Sequence, residues 1–182
     1  MKVFLPRNID KSIATILSLD EFVDNIEGIK NGNFNIVSIR SSNGKMGQDK
    51  SEKYDKIDAA QFKNICISIF DDLQKESDRA TKQYVFPEEK HILPILEWVS
   101  KKWEENSSPF IVHCTAGISR SAAIAILINK MIRNNAKDAF NPNINYPNKE
   151  ILRLGEKILG VKVLEDVEKV LKENQGFEGV SF

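Results

Sequence analysis

His113-Cys114-Thr115-Ala116-Gly117-Ile118-Ser119-Arg120-Ser121 lies between two apolar runs of different kinds. Pro109-Phe110-Ile111-Val112 precedes it, and Ala122-Ala123-Ile124-Ala125-Ile126-Leu127-Ile128 follows. The pattern predicts a strand, a tight turn and a buried helix that starts inside the turn. Backbone N–H groups of such a turn can converge on one point. The helix N-terminus adds positive potential there, which suits the stretch to a dianion. The same field favours Cys114 as a nucleophilic thiolate. Arg120, six positions later, can hold two phosphate oxygens through its planar fork. A strand cysteine with an incidental surface arginine would leave the small residues between them unexplained.

Working outward, the chain alternates β-rich and helical patterns. Phe34-Asn35-Ile36-Val37-Ser38-Ile39 and Ile65-Cys66-Ile67-Ser68-Ile69-Phe70 read as strands buried on both faces. Val3-Phe4-Leu5 suggests a short first strand. Apolar positions at Ile13, Ile16, Leu17, Leu19, Phe22, Val23 and Ile26 predict a helix over 10–29 that Gly28 stops. A second helix is expected over 87–105, with Pro87 at its start and Pro94 kinking or shortening it. The helix after the cysteine turn should end at Asn134-Asn135, with a short helix near 136–140 and others near 147–159 and 161–173. Residues 41–56 read as a long polar loop. Strands at 34–39, 64–70 and 109–113, separated by helices, imply an α/β fold. Its central sheet is mostly parallel, with the site at the carboxyl ends of the strands.

The 182 residues suit a single domain, 1–182, with a sizeable core. Lys+Arg and Asp+Glu balance at 26 each, so no overall basic field points to nucleic acid or an anionic membrane. No apolar run reaches the roughly 18 residues of a membrane span, and MKVFLPRNID lacks the layout of a signal peptide. Cysteines at 66 and 114 make no disulfide framework. A thiolate nucleophile needs reducing surroundings, so a cytoplasmic location is expected. Cys66 reads as a buried strand cysteine, or alternatively as a redox partner of Cys114.

The Cys-x5-Arg spacing, flanked by His113 and Ser121, resembles the cysteine-dependent protein tyrosine phosphatases. HCTAGISRSA is most similar to their dual-specificity branch. Ile36-Val37-Ser38-Ile39-Arg40 resembles an early strand of the family, and Phe70-Asp71-Asp72 its general-acid loop. Tyr146-Pro147-Asn148-Lys149-Glu150-Ile151-Leu152 is similar to the Pro-Asn segment that opens a late helix. No counterpart of the phosphotyrosine-recognition segment of larger, tyrosine-specific members is present.

The resemblance implies a phosphatase that hydrolyses phosphate monoesters through a phosphocysteine, without metal or cofactor. Cys114 would attack phosphorus, while Arg120 and the amides of Thr115, Ala116, Gly117, Ile118 and Ser119 hold its oxygens. A carboxylic acid would protonate the leaving oxygen. Matching Phe70-Asp71-Asp72 to the family loop favours Asp72, and counting along the strand from Ile67 favours Asp71. Ser121 would hydrogen-bond the departing thiolate, or cap the helix, or both. His113 is expected to order the loop by hydrogen bonding, and Asn148 to brace it or cap a helix. The implied partner is a phosphorylated protein carrying phosphotyrosine, and phosphoserine or phosphothreonine. The loop holds no lysine of the kind that family members use for inositol polyphosphates. Competing readings are a catalytically weak phosphoprotein-binding module, a phosphatase of non-protein esters, and a sulfur-transfer domain.

Overall fold

The computed structural model describes residues 13–42, 53–54, 56–74 and 84–175. The expected strand at Val3-Phe4-Leu5 and most of the 41–56 loop lie outside them. Among the described residues four parallel strands form one sheet: β1 (Ala14–Leu17), β2 (Asn35–Arg40), β3 (Ile65–Ile69) and β4 (Phe110–His113), in the order β1-β4-β2-β3. In register, Thr15 and Ile36 both lie beside Ile111, and Ile36 in turn beside Ile65. All four strands therefore deliver their carboxyl ends to one edge, as the sequence implied for β2, β3 and β4.

Two cores fill the faces of the sheet. Leu17, Ile36 and Ile111 meet Leu19, Phe22 and Ile29 from the short helices α1 (Leu19–Asp24) and α2 (Ile26–Asn31). Val37, Ile39, Phe110 and Val112 project to the other face. There α3 (Glu89–Asn106) and α4 (Arg120–Arg133) pack on the sheet, and α5 (Lys149–Leu159) and α6 (Leu164–Gln175) complete the same core behind them. Every residue of α4 from Arg120 to Asn129 is buried, so this helix is the axis of the larger core. Gly155 on α5 lets the two helices approach, since a Cβ there would lie 2.3 Å from a Leu127 methyl. No helix among the described residues is long and apolar enough to cross a membrane.

Three elements differ from the sequence reading. The helix expected over 10–29 is instead β1 followed by α1 and α2. The β-branched pair Thr15-Ile16 joins the sheet beside β4, and Ser18 and Glu21 close a capping box that starts a new helix. Gly28 sits inside α2 rather than stopping it. Pro94 does not shorten α3, which runs 18 residues through it. Pro94 and Lys90 both face solvent, so water can satisfy the Lys90 carbonyl that loses its helical partner. Finally, β3 is an edge strand rather than a strand buried on both faces, with Ile67 and Ile69 exposed.

Candidate active site

Six residues join the end of β4 to the start of α4, and their carbonyls are all turned outward where bonds fix them. The Thr115 carbonyl accepts from Leu19 N–H at 3.2 Å, and the Ile118 carbonyl from Tyr146 N–H at 3.0 Å. The Gly117 carbonyl accepts from Asn145 Nδ2 at 3.0 Å. The Ser119 carbonyl accepts from Asn148 N–H at 3.3 Å and Ala123 N–H at 3.0 Å. In a trans peptide the next N–H points opposite its carbonyl. The amides of Ala116, Ile118, Ser119 and Arg120 are thus directed away from these partners, toward the hollow of the loop. Gly117 makes the turn at φ +71°, and a Cβ there would stand 2.6 Å from the Ser18 nitrogen. Only glycine fits that position.

Cys114 and Arg120 are both buried in this hollow. Cys114 Sγ lies 3.2 Å from Ser121 Oγ. Ser119, not Ser121, occupies the N-cap position of α4, so the capping alternative for Ser121 is not realised. The Arg120 guanidinium donates from Nη1 to the Phe70 carbonyl at 2.7 Å and to Ser41 Oγ at 3.1 Å. Its Nη2 donates to Thr115 Oγ1 at 3.2 Å. Its Nε is buried and has no hydrogen-bond partner among the described residues. A buried cationic donor left unpaired is costly unless a ligand meets it.

The two aspartates differ sharply. Asp71 is buried, and its carboxylate accepts from Ser42 N–H at 3.1 Å, from the Ser42 hydroxyl, and from Val85 N–H at 2.7 Å. Its own N–H donates to the Val85 carbonyl at 2.7 Å. Asp71 is therefore a tie between three chain segments. Asp72 is exposed and faces the cysteine turn, where its Oδ1 accepts from Ser119 Oγ and from Asn148 Nδ2, each at 2.7 Å. Asn148 also donates to the Leu73 carbonyl at 3.1 Å and caps α5 by accepting from Ile151 N–H at 3.1 Å. Asn148 both braces and caps.

His113 departs from expectation. Neither ring nitrogen has a hydrogen-bond partner among the described residues, so the hydrogen bonding expected to order the loop is not formed there. The imidazole instead stacks on Phe22, with centroids 4.1 Å apart. Burial, with Arg40's charge adding to it, pushes its pKa down to about 3. It is a neutral packing residue.

Ser41, Tyr54 and Asn145 were not legible as site residues. The Tyr54 hydroxyl lies 3.0 Å from Thr115 Oγ1, beneath the Arg40 guanidinium that rests 5.6 Å over its ring. Burial raises its pKa, so it stays a neutral hydroxyl. Each of the three reaches the site from tens of residues away with an ordinary side chain. The one available signal was the position of Ser41 directly after the second strand.

A family model described as protein-tyrosine phosphatase matches residues 78–146. No curated protein matches the sequence. Among solved structures, the human tyrosine phosphatase-like serine/threonine/tyrosine-interacting protein aligns at TM-score 0.54 and 16% identity, covering 79% of this chain and 89% of its own. Tk-PTP in its active form aligns at TM-score 0.43 and 14% identity, covering 90% and 96%. The first of these shares the fold.

Proposed function

From a chain with the signature, a family match over 78–146 and the fold of the cysteine-dependent protein tyrosine phosphatases, we propose that it hydrolyses phosphate monoesters on proteins through a phosphocysteine. The observation that carries the reading is the buried Arg120 Nε, unpartnered among the described residues, set beside a loop whose bonded carbonyls all face outward. Phosphotyrosine is the first substrate class to test, followed by phosphoserine and phosphothreonine.

Cys114 attacks phosphorus in line, forming the S–P bond as the P–O bond to the substrate breaks. Arg120 and the loop amides hold the three equatorial oxygens. Asp72 gives its proton to the leaving oxygen, which its exposed position beside Ser119 allows. Water then attacks the phosphocysteine, with Asp72 taking its proton. The 3.2 Å contact from Ser121 supports the departing thiolate. All positive charge in this scheme comes from Arg120 and backbone dipoles.

Cys114→Ser should abolish turnover of nitrophenyl phosphate while vanadate or phosphate still binds. Activity retained in that variant, or no activity in the unmodified chain, would overturn the reading. Inactivity of the unmodified chain together with tight phosphopeptide binding would favour a binding module.

A further inference from the structure

We propose that Ile118, Ile144 and Tyr146 form an apolar shelf at the mouth of the phosphate site. The shelf would select phosphoproteins with an apolar side chain next to the phosphorylated residue. The proposal rests on the phosphatase reading and specifies its substrate. These side chains are 38%, 58% and 53% exposed. Ile118 belongs to the cysteine turn itself, and the Tyr146 N–H bonds the Ile118 carbonyl at 3.0 Å. Asn145, between the other two, is buried, with Nδ2 on the Gly117 carbonyl and Oδ1 accepting from Asn141 N–H at 2.8 Å. The segment is thus held by its backbone and by Asn145. Polar residues at 144 and 146 would allow the same bonds, so folding does not call for exposed apolar groups there.

Continuity identifies the occupant. The shelf starts on the loop that encloses the phosphate, so what reaches it is attached to the phosphate-bearing residue. Charge points the same way. The exposed charge bonded to the turn is the acid Asp72. Lys149, the nearest cation along this segment, is drawn to Glu168 on α6 at 3.2 Å. Among the described residues of this segment an acidic flank would meet only a cation already bonded to Glu168, whereas an apolar flank would cover exposed hydrocarbon.

The test uses the Cys114→Ser chain and fluorescent phosphotyrosine peptides identical except for Leu, Ser or Glu on either side of the phosphotyrosine. Anisotropy should give about five- to tenfold tighter binding for the Leu peptide than for the Glu peptide. Adding Ile144→Ser and Tyr146→Ser should bring the ratio below about twofold without lowering the thermal midpoint. Equal binding of the three peptides, or a preference that survives both substitutions, would overturn the proposal. So would concentration-dependent dimerisation that the double variant abolishes, which would assign the shelf to a second copy. If the unmodified chain turns over no aryl phosphate, the catalytic reading fails, while the binding ratio still decides the shelf.

Discussion

The two loops that meet at the site are built on opposite principles. The cysteine turn is fixed through its backbone: α1, the 145–148 segment and α4 all bond its carbonyls, and Gly117 is pressed against Ser18. The 71–73 loop is held chiefly through side chains: Asn148 reaches the Leu73 carbonyl, and Asp71, whose N–H also bonds the Val85 carbonyl, gathers Ser42 and Val85. Its neighbour Asp72 is left exposed on two side-chain bonds. A dianion cradle needs several dipoles in one geometry at once, so it must be over-determined. In the proposed reaction Asp72 must reach a leaving group and then a water, which calls for an anchored hinge and a free tip.

The strongest way to break this contrast is Gly117→Ala. The new methyl needs a left-handed backbone, at about 1–2 kcal/mol, and meets the Ser18 backbone at 2.6 Å. The turn must then shift as a unit. Vanadate binding and turnover should both fall more than about 100-fold, because the amides act together. Near-normal vanadate affinity by calorimetry would show that the turn is adaptable after all.

The next effect separates the aspartates. Asp72→Asn should slow phenyl phosphate about 100-fold, within the usual range for a general acid, and nitrophenyl phosphate much less. It should also flatten the basic limb of the pH–rate profile. Asp71→Asn should treat both esters alike and instead cost about 1–3 kcal/mol of stability by urea denaturation, from disrupted buried hydrogen bonds. The reverse pattern would exchange their roles and break the hinge-and-tip picture.

How much of this was legible depends on how locally each role is encoded. Cys114, Arg120 and Ser121 are read directly because a strand, a turn and a helix N-terminus must be contiguous to build the cradle. The α/β order followed from periodicity. Asp71 and Asp72 were ambiguous because sequence places both at a strand end and says nothing of Ser42 or Val85, which arrive from elsewhere. Residues 10–29 misled because Ile13, Ile16 and Leu17 fit a helical stripe as well as a strand, and only pairing with β4 decides. Exposure of Ile67 and Ile69 follows from β3's place at the sheet edge, which its composition does not encode.

Beneath the cysteine turn, His113 makes the same frame pH-sensitive. Its folded pKa of about 3 lies below the ordinary value of about 6.5. The unfolded chain therefore binds the proton more readily. Stability from this residue is full above about pH 6.5 and is lost as pH falls toward 3, amounting to about 2 kcal/mol by pH 5. His113→Phe should keep a ring against Phe22 and flatten the fall in urea midpoint between pH 7 and 5. An unchanged fall would place the acid sensitivity in the carboxylates instead.

The smallest expected effect concerns the two cysteines, one on the strand leading to the acid loop and one just past the strand leading to the cradle. Cys66 lies opposite Val37, and Val37 opposite Val112. It is therefore two strand spacings from β4, about 10 Å. Cys114 stands two residues beyond Val112, which adds further separation along the strand. A disulfide needs Cα atoms within about 7 Å, so Cys66 cannot resolve an oxidised Cys114 while β2 stays between them. Burial also raises the Cys66 pKa and keeps it a thiol. Peroxide should inactivate the chain by oxidising Cys114, and dithiothreitol should restore a brief exposure. Cys66→Ser should leave both the rate of loss and the extent of recovery within about twofold, the scatter of such assays. A 66–114 disulfide in a peptide map would mean that β2 or β3 leaves the sheet on oxidation, and that the strand beneath the acid loop is far less fixed than the one beneath the cradle.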